Sequence, residues 1–211
     1  MRIYDISLPL SGSLPVWPGD PRVSVSKVKS FEAGDDVNCS HLSCNVHSGT
    51  HVDAPSHSIP NGDSVESLPL AAMIGSAYVA WIPEADEIGP AELEQLQLPS
   101  TVRRLLLRTR NSHLWAKEEV EFTRDFVALT PAAAQWIVDR DIRLLAVDYL
   151  SVQRFAEAGQ DTHLRLLKAG VVIVEGVNLH DILPGVYQLV CLPVKLVAAE
   201  GAPARVVLIE G

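Results

Sequence analysis

The sequence predicts an α/β fold, a single compact domain over residues 1–211 with a mixed β-sheet and flanking helices. Three observations carry that expectation. Short runs rich in Val, Ile and Leu recur at Arg103–Thr109, Ile142–Val147 and Val171–Val174, as in strands buried on both faces. Helical segments at Gly89–Leu96, Pro131–Asp139 and Thr162–Ala169 are interspersed with them, and the mixture is the α/β pattern. Two further strands, Tyr187–Val197 and Ala204–Ile209, are separated by Gly201 and Pro203.

A chain of 211 residues, 47% hydrophobic and 20% charged, is long enough for one sizeable core and needs no second one. No internal repeat, low-complexity tract or linker divides it. The formal charge of −9, with no local Lys/Arg cluster, argues against a nucleic-acid partner or an anionic membrane surface. No run of ~18 apolar residues could span a bilayer. The opening Met1-Arg-Ile-Tyr-Asp-Ile-Ser lacks the apolar stretch of a secretory signal, so a cytoplasmic enzyme is expected. Cys39, Cys44 and Cys191 follow no close-paired metal spacing and are expected to be small buried hydrophobes in a reducing compartment.

Leu14-Pro-Val-Trp-Pro-Gly-Asp-Pro21 cannot be helical, because three prolines and a glycine punctuate it; it should be an ordered loop presenting Trp17. From Leu42 to Val52 the pattern alternates. Leu42, Cys44, Val46, Thr50 and Val52 fall on one parity, and His41, Asn45, His47, Gly49, His51 and Asp53 on the other. Period two predicts one half-buried strand, ended by Pro55, with Gly49 leaving room on its polar face for an ion. The helix over Pro131–Asp139 has Thr130 as its N-cap and Pro131 at its first position.

The segment His47-Ser-Gly-Thr-His51-Val-Asp53-Ala-Pro-Ser-His57 packs three histidines and an aspartate into eleven residues. Imidazole and carboxylate are the usual ligands of zinc, manganese and ferrous iron. A polar strand face is ordinarily solvated, but solvated faces favour Lys, Glu and Thr, so this composition points to metal binding. Glu175 ends the apolar run Gly170-Val-Val-Ile-Val. An ionised carboxylate there must meet a cation, shift its pKa or emerge at the sheet edge. Asp148, after Leu144-Leu-Ala-Val147, poses the same question and receives no role. His163, where a helix should begin, reads on its own as a capping or surface histidine.

This eleven-residue segment resembles the HxGTHxDxPxH signature of the cyclase family of metal-dependent hydrolases, which includes bacterial kynurenine formamidases and isatin hydrolases. Tyr4-Asp-Ile-Ser-Leu-Pro-Leu, Trp17-Pro-Gly-Asp20, Leu106-Leu-Arg-Thr109, His163 with Glu175, and Leu192-Pro-Val-Lys195 extend the resemblance over nearly the whole chain. It implies a site for two divalent ions, zinc with manganese as the alternative. His47, His51 and Asp53 would bind one ion, Asp53 would bridge to a second held by His163, and Glu175 would bridge both. It further implies that His57 is the acid/base residue, that Trp17 packs against an aromatic substrate, and that the compact α/β domain forms a homodimer.

The implied reaction is hydrolysis of a small aryl formamide such as N-formylkynurenine by a metal-activated water. The rivals are an isatin-type lactam hydrolase and a non-enzymatic metal-binding protein, which would have no use for His57. No Gly-x-Ser-x-Gly elbow supports a serine hydrolase. The chain departs from the formamidase pattern at Asp148-Tyr-Leu-Ser151 and at His163-Leu164, positions expected to line the substrate side.

Overall fold

Leu105, Leu106 and Leu107 show why the apolar runs become strands: successive side chains leave opposite faces, and both faces are covered. The computed structural model describes residues 1–117 and 120–211. In chain order it contains β1 (Arg2–Asp5), β2 (Ser24–Lys29), β3 (Cys39–Ser43), β4 (His51–Asp53), α1 (Leu70–Met73), β5 (Ile74–Ile82), α2 (Pro90–Gln95), β6 (Arg104–Thr109), α3 (Pro131–Asp139), β7 (Leu144–Val147), α4 (Asp161–Lys168), β8 (Val172–Glu175), β9 (Gly185–Pro193) and β10 (Gly201–Glu210).

Eight strands form one mixed sheet in the order β1-β10-β4-β8-β7-β6-β5-β9, and β9 pairs again with β10, closing the sheet like a barrel. The run β5-β6-β7-β8 is parallel and the remaining pairings of this sheet are antiparallel. Parallel neighbours need crossover connections, and α2, α3 and α4 supply them. Leu105, Leu107, Leu145 and Ile173 pack outward against Ala133, Ile137, Leu166 and Leu167 of the helices. Leu106, Leu144, Val172 and Val174 point the other way, into an interior shared with Val52, Leu189 and Val206. The predicted α/β domain with a mixed sheet and flanking helices is therefore the observed one. α3 begins as expected: Pro131 opens it, and Thr130 Oγ1 accepts a hydrogen bond from Ala133 N at 3.2 Å. Among the described residues, no helix is long and apolar enough to cross a membrane.

Three expectations are corrected. Leu42–Val52 is two strands, not one: β3 pairs with β2 as a separate exposed ribbon, and the chain then turns before β4. Gly49 makes that turn at φ +65, a left-handed conformation costly for residues with a Cβ. Nor does it leave room for an ion, since a Cβ there would meet Leu10 Cδ2 at 3.0 Å and Leu14 Cδ2 at 3.1 Å, in an apolar cluster. The cysteines also differ from expectation. Cys191 is buried, with its thiol pushed up to about 12 by burial, but Cys39 is exposed on the ribbon.

A second glycine locks the turn against the sheet. Gly176, immediately after β8, has φ +70, and a Cβ on it would lie 2.4 Å from the Gly49 carbonyl oxygen. Thr50 Oγ1 joins the same contact, donating to Gly176 O at 2.5 Å and accepting from Leu8 N at 2.8 Å. Gly176→Ala should therefore cost at least about 2 kcal/mol through backbone strain and displacement of the turn. Thermal denaturation should show a midpoint lowered by roughly 5 °C; an unchanged midpoint would contradict this close contact.

Candidate functional site

The pairing of β4 with β8 brings the first donors together. His51 lies directly across from Glu175 in antiparallel register, and Asp53, two residues on, leaves β4 on the same side as His51. Val52 between them points into the barrel interior. His51, Asp53 and Glu175 are all buried. His51 Nε2 is 3.3 Å from Glu175 Oε2 and 3.5 Å from Asp53 Oδ1.

The other donors converge from three separate segments. His47 sits in the turn before β4, its N–H donating to Asn45 Oδ1 at 3.0 Å, and its Nδ1 is 2.9 Å from Asp53 Oδ1. His163 lies in the first turn of α4, with Nε2 3.3 Å from Glu175 Oε1 and 3.8 Å from Asp53 Oδ2. It is only 5% exposed, so its bland reading as a capping or surface histidine is overturned. His57 ends a short 3₁₀ turn opened by Pro55, and its ring centroid is 4.3 Å from that of His47 and 5.6 Å from that of His163. All six residues named in the sequence for metal or proton chemistry thus meet in one place.

Bonds behind these groups decide which atoms remain free. Gly49 O lies 2.9 Å from His51 Nδ1, and Gln153 Oε1 lies 3.3 Å from His163 Nδ1. Each carbonyl fixes a proton on Nδ1 and turns Nε2 toward the carboxylates. Val152 N donates to Glu175 Oε1 at 2.6 Å. His47 Nε2, His51 Nε2 and Asp53 Oδ2 are buried without a hydrogen-bond partner. Such orphaned atoms are costly unless something binds them.

A divalent ion fits this donor set. His51, Asp53 and Glu175 present donor atoms within 4.8 Å of one another, and so do His47, Asp53 and His57. Bonds of about 2.0–2.2 Å to nitrogen and oxygen place neighbouring ligand atoms about 3.0–3.5 Å apart, and the closest donor contacts here span 2.9–3.5 Å. Asp53 belongs to both sets.

Electrostatics point the same way. Burial depresses the His51 pKa, yet the Glu175 carboxylate 3.3 Å away and the charge of Asp53 overcome it and lift the imidazole to about 9. Burial opposes charge on His163 too, and Glu175 again reverses it, so its pKa is raised. Both carboxylates stay ionised below their usual range despite burial, Asp53 through His47 and its neighbouring imidazoles, Glu175 through His163 and His51. The cluster demands positive charge. His57 is the exception: burial dominates and holds its pKa below the ordinary 6.5.

These groups open onto a cavity of about 430 Å³, with Trp17, Leu150 and Ser151 on its wall. Trp17 stands in the predicted loop and packs edge-on against Phe122, with ring centroids 5.3 Å apart, and against Phe155 at 5.2 Å. Of the positions where the sequence departs from the formamidase pattern, Leu150 and Ser151 line the cavity as expected. Asp148, Tyr149 and Leu164 do not. Asp148 and Tyr149 are fully buried, and Leu164, one residue along the helix from His163, borders a different groove with Gln135 and Arg165. Sequence reading missed Gln153, Asn45, Asp20 and Glu200. Asn45 was visible only as a polar residue of the alternating segment, and no motif singled out Gln153 or Glu200.

The sequence matches the family described as "Putative cyclase" over residues 4–154. Cyclase-like protein 3 of Oryza sativa subsp. japonica is 37% identical over 217 residues, covering 99% of this chain and 80% of that one. Kynurenine formamidase of Bacillus cereus is 36% identical over 204 residues, covering 97% of this chain and 95% of its own. A solved structure described as a potential metal-dependent hydrolase with cyclase activity superposes with a TM-score of 0.84 at 32% identity, over 98% of this chain and 96% of that chain. The chain belongs to the cyclase family.

Proposed function

We propose that the chain is a metal-dependent amidohydrolase acting on a small aryl formamide, with N-formylkynurenine the first substrate to test. One observation carries this reading: two buried carboxylates and three imidazoles cluster beside a cavity that also takes in a histidine of lowered pKa and a tryptophan. The kynurenine formamidase relative, aligned over 97% of this chain, supports the choice of substrate. His47, His51, Asp53, His163 and Glu175 would hold the ions, with Asp53 and Glu175 shared between them and zinc or manganese as the metal. A bound divalent ion lowers the pKa of a coordinated water toward neutrality and polarises the carbonyl under attack.

The chain's own groups do the rest. His57, kept neutral by burial, accepts a proton at its free ring nitrogen and returns it to the departing nitrogen. Trp17 holds the aromatic ring. The Nδ1 bonds of His51 and His163 keep their rings turned toward the carboxylates. The reading includes a cytoplasmic homodimer.

Protein purified without added metal or chelator should contain about two equivalents of a divalent metal by plasma mass spectrometry and should hydrolyse N-formylkynurenine. Dialysis against a chelator should abolish turnover and lower the unfolding midpoint. A chain that contains no metal and takes none up on incubation would overturn the proposal.

His57→Ala should retain its metal and lose about 100-fold to 10,000-fold in kcat. Because His57 acts as a base when neutral, the wild-type rate should fall as pH drops through its depressed pKa, below 6.5. A divalent charge beside the ring pushes the same way. That acid limb should disappear in His57→Ala; full activity in the variant would remove the assigned role.

Glu175→Gln keeps the shape of the side chain but removes its charge, and should weaken metal affinity at least about ten-fold. Elemental analysis showing full occupancy in this variant would contradict the bridging role.

A further inference from the structure

The cavity carries charge beyond its metal donors, and that charge bears on which aryl amides it admits; the inference rests on the hydrolase reading above. Asp20 and Glu200 also face the cavity, and among the described residues no Lys or Arg lines it. Asp20 is held in place. Its N–H donates to the Trp17 carbonyl at 3.0 Å, closing a turn that Gly19 permits at φ +101. Asn45 Nδ2 donates to Asp20 Oδ2 at 2.9 Å, while Asn45 Oδ1 receives the His47 N–H. The carboxylate is thus tied to both the segment presenting Trp17 and the segment presenting His47. Glu200 comes from the turn before β10 and stands 3.8 Å from His47 Nε2, with its side chain 48% exposed.

Nearby cations are engaged elsewhere. Arg154 pairs with Glu87, and Arg124 lies over the Phe155 ring at 4.7 Å. Asp53 and Glu175 are the carboxylates a bound metal would offset, and Asp53 Oδ2 is buried without a hydrogen-bond partner. Asp20, half-buried, and Glu200, exposed, are then the cavity's carboxylates outside that buried pair. We propose that Asp20 and Glu200 select aryl amides whose ring carries a neutral or ammonium substituent, and discriminate against rings carrying an anionic one. Trp17 and Asp20 stand on one turn, so a ring packed on Trp17 carries its substituents past that carboxylate.

The probes are formanilide, its 4-aminomethyl derivative and its 4-sulfonate, a sulfonate being chosen because it is a weak ligand for divalent ions. With metal-loaded enzyme, kcat/KM for the sulfonate should lie about ten-fold below the other two, a difference of about 1.4 kcal/mol. Added salt should narrow that gap by screening. Glu200→Gln and Asp20→Asn should narrow it too, whereas Glu84→Gln, a charge outside the cavity, should leave it in place and so exclude a mere effect of net charge. Equal turnover of the sulfonate, or a gap insensitive to salt and to both cavity variants, would overturn the proposal. If none of the three is hydrolysed, the formamidase reading fails separately. Calorimetry on the amine products then decides the charge preference: 4-aminobenzylamine should bind at least ten-fold tighter than 4-aminobenzenesulfonate, and equal binding would sink it.

Discussion

Two ionised carboxylates, Asp53 and Glu175, are buried side by side next to a cavity that no lysine or arginine lines among the described residues, and much of the surrounding structure is arranged to make this tolerable. Their mutual repulsion opposes ionisation, as does burial, and either alone would favour protonation. Three imidazoles within hydrogen-bonding or ion-pairing distance reverse the balance. Those imidazoles must arrive on rigid backbone. The antiparallel register of β4 and β8 sets His51 opposite Glu175, and the Gly49–Gly176 contact fixes where β4 starts. A one-residue slip would send His51 and Asp53 into the barrel interior and expose Val52 to the site.

Asp148 makes the constraint clearer by contrast. Asp148 follows β7, and Glu175 ends the neighbouring parallel strand β8. Both are buried. Asp148 receives hydrogen bonds from Thr109 N at 2.6 Å and Oγ1 at 2.9 Å, Ser112 N at 3.1 Å and Oγ at 2.6 Å, and Asn111 Nδ2 at 3.3 Å. Its lone pairs are filled by protein, and with burial leading, its pKa is raised. It ties the turn after β6 to the end of β7, and Trp115 Nε1 donates to its carbonyl at 2.9 Å while the Trp115 ring stacks on Tyr149. Glu175 receives one backbone N–H and otherwise faces imidazoles. Two carboxylates on adjacent strand ends therefore have opposite fates: a saturated one is structural, and an unsaturated one is left open for a cation.

Much of this was legible in the sequence. Apolar runs located β6, β7 and β8 to within two residues, because strands buried on both faces leave little compositional freedom. The clustering of these side chains was legible because histidines and aspartate are concentrated where solvent exposure would not put them, and the wider family resemblance brought in His163 and Glu175. What was hidden depends on backbone conformation or on distant partners. The break at Gly49 could not be seen in an alternation that continues through it, and the closure of the sheet depends on β9 pairing with both β5 and β10. β5 itself was missed, since Ile74-Gly-Ser-Ala-Tyr-Val-Ala-Trp-Ile82 mixes small and large residues without a clean period. Gln153 and Asn45 act by single hydrogen bonds to histidines remote or adjacent in sequence, and such bonds leave no pattern.

Within the cluster, three histidines of the same intrinsic basicity are driven apart by position alone. His51 and His163 touch the carboxylates directly and their pKa values rise; His57 stands against the rings of His47 and His163, where desolvation is only partly offset by Asp53, and its pKa falls. A divalent ion displaces protons most readily from groups that hold them only because a carboxylate is near, since the ion satisfies that carboxylate better. A neutral imidazole outside that contact can instead cycle its proton near physiological pH. The separation between the rings whose pKa rises and the ring whose pKa falls therefore follows from which of them reach Asp53 and Glu175. In this fold that is decided by three positions: a three-residue strand, one 3₁₀ turn and the first turn of α4.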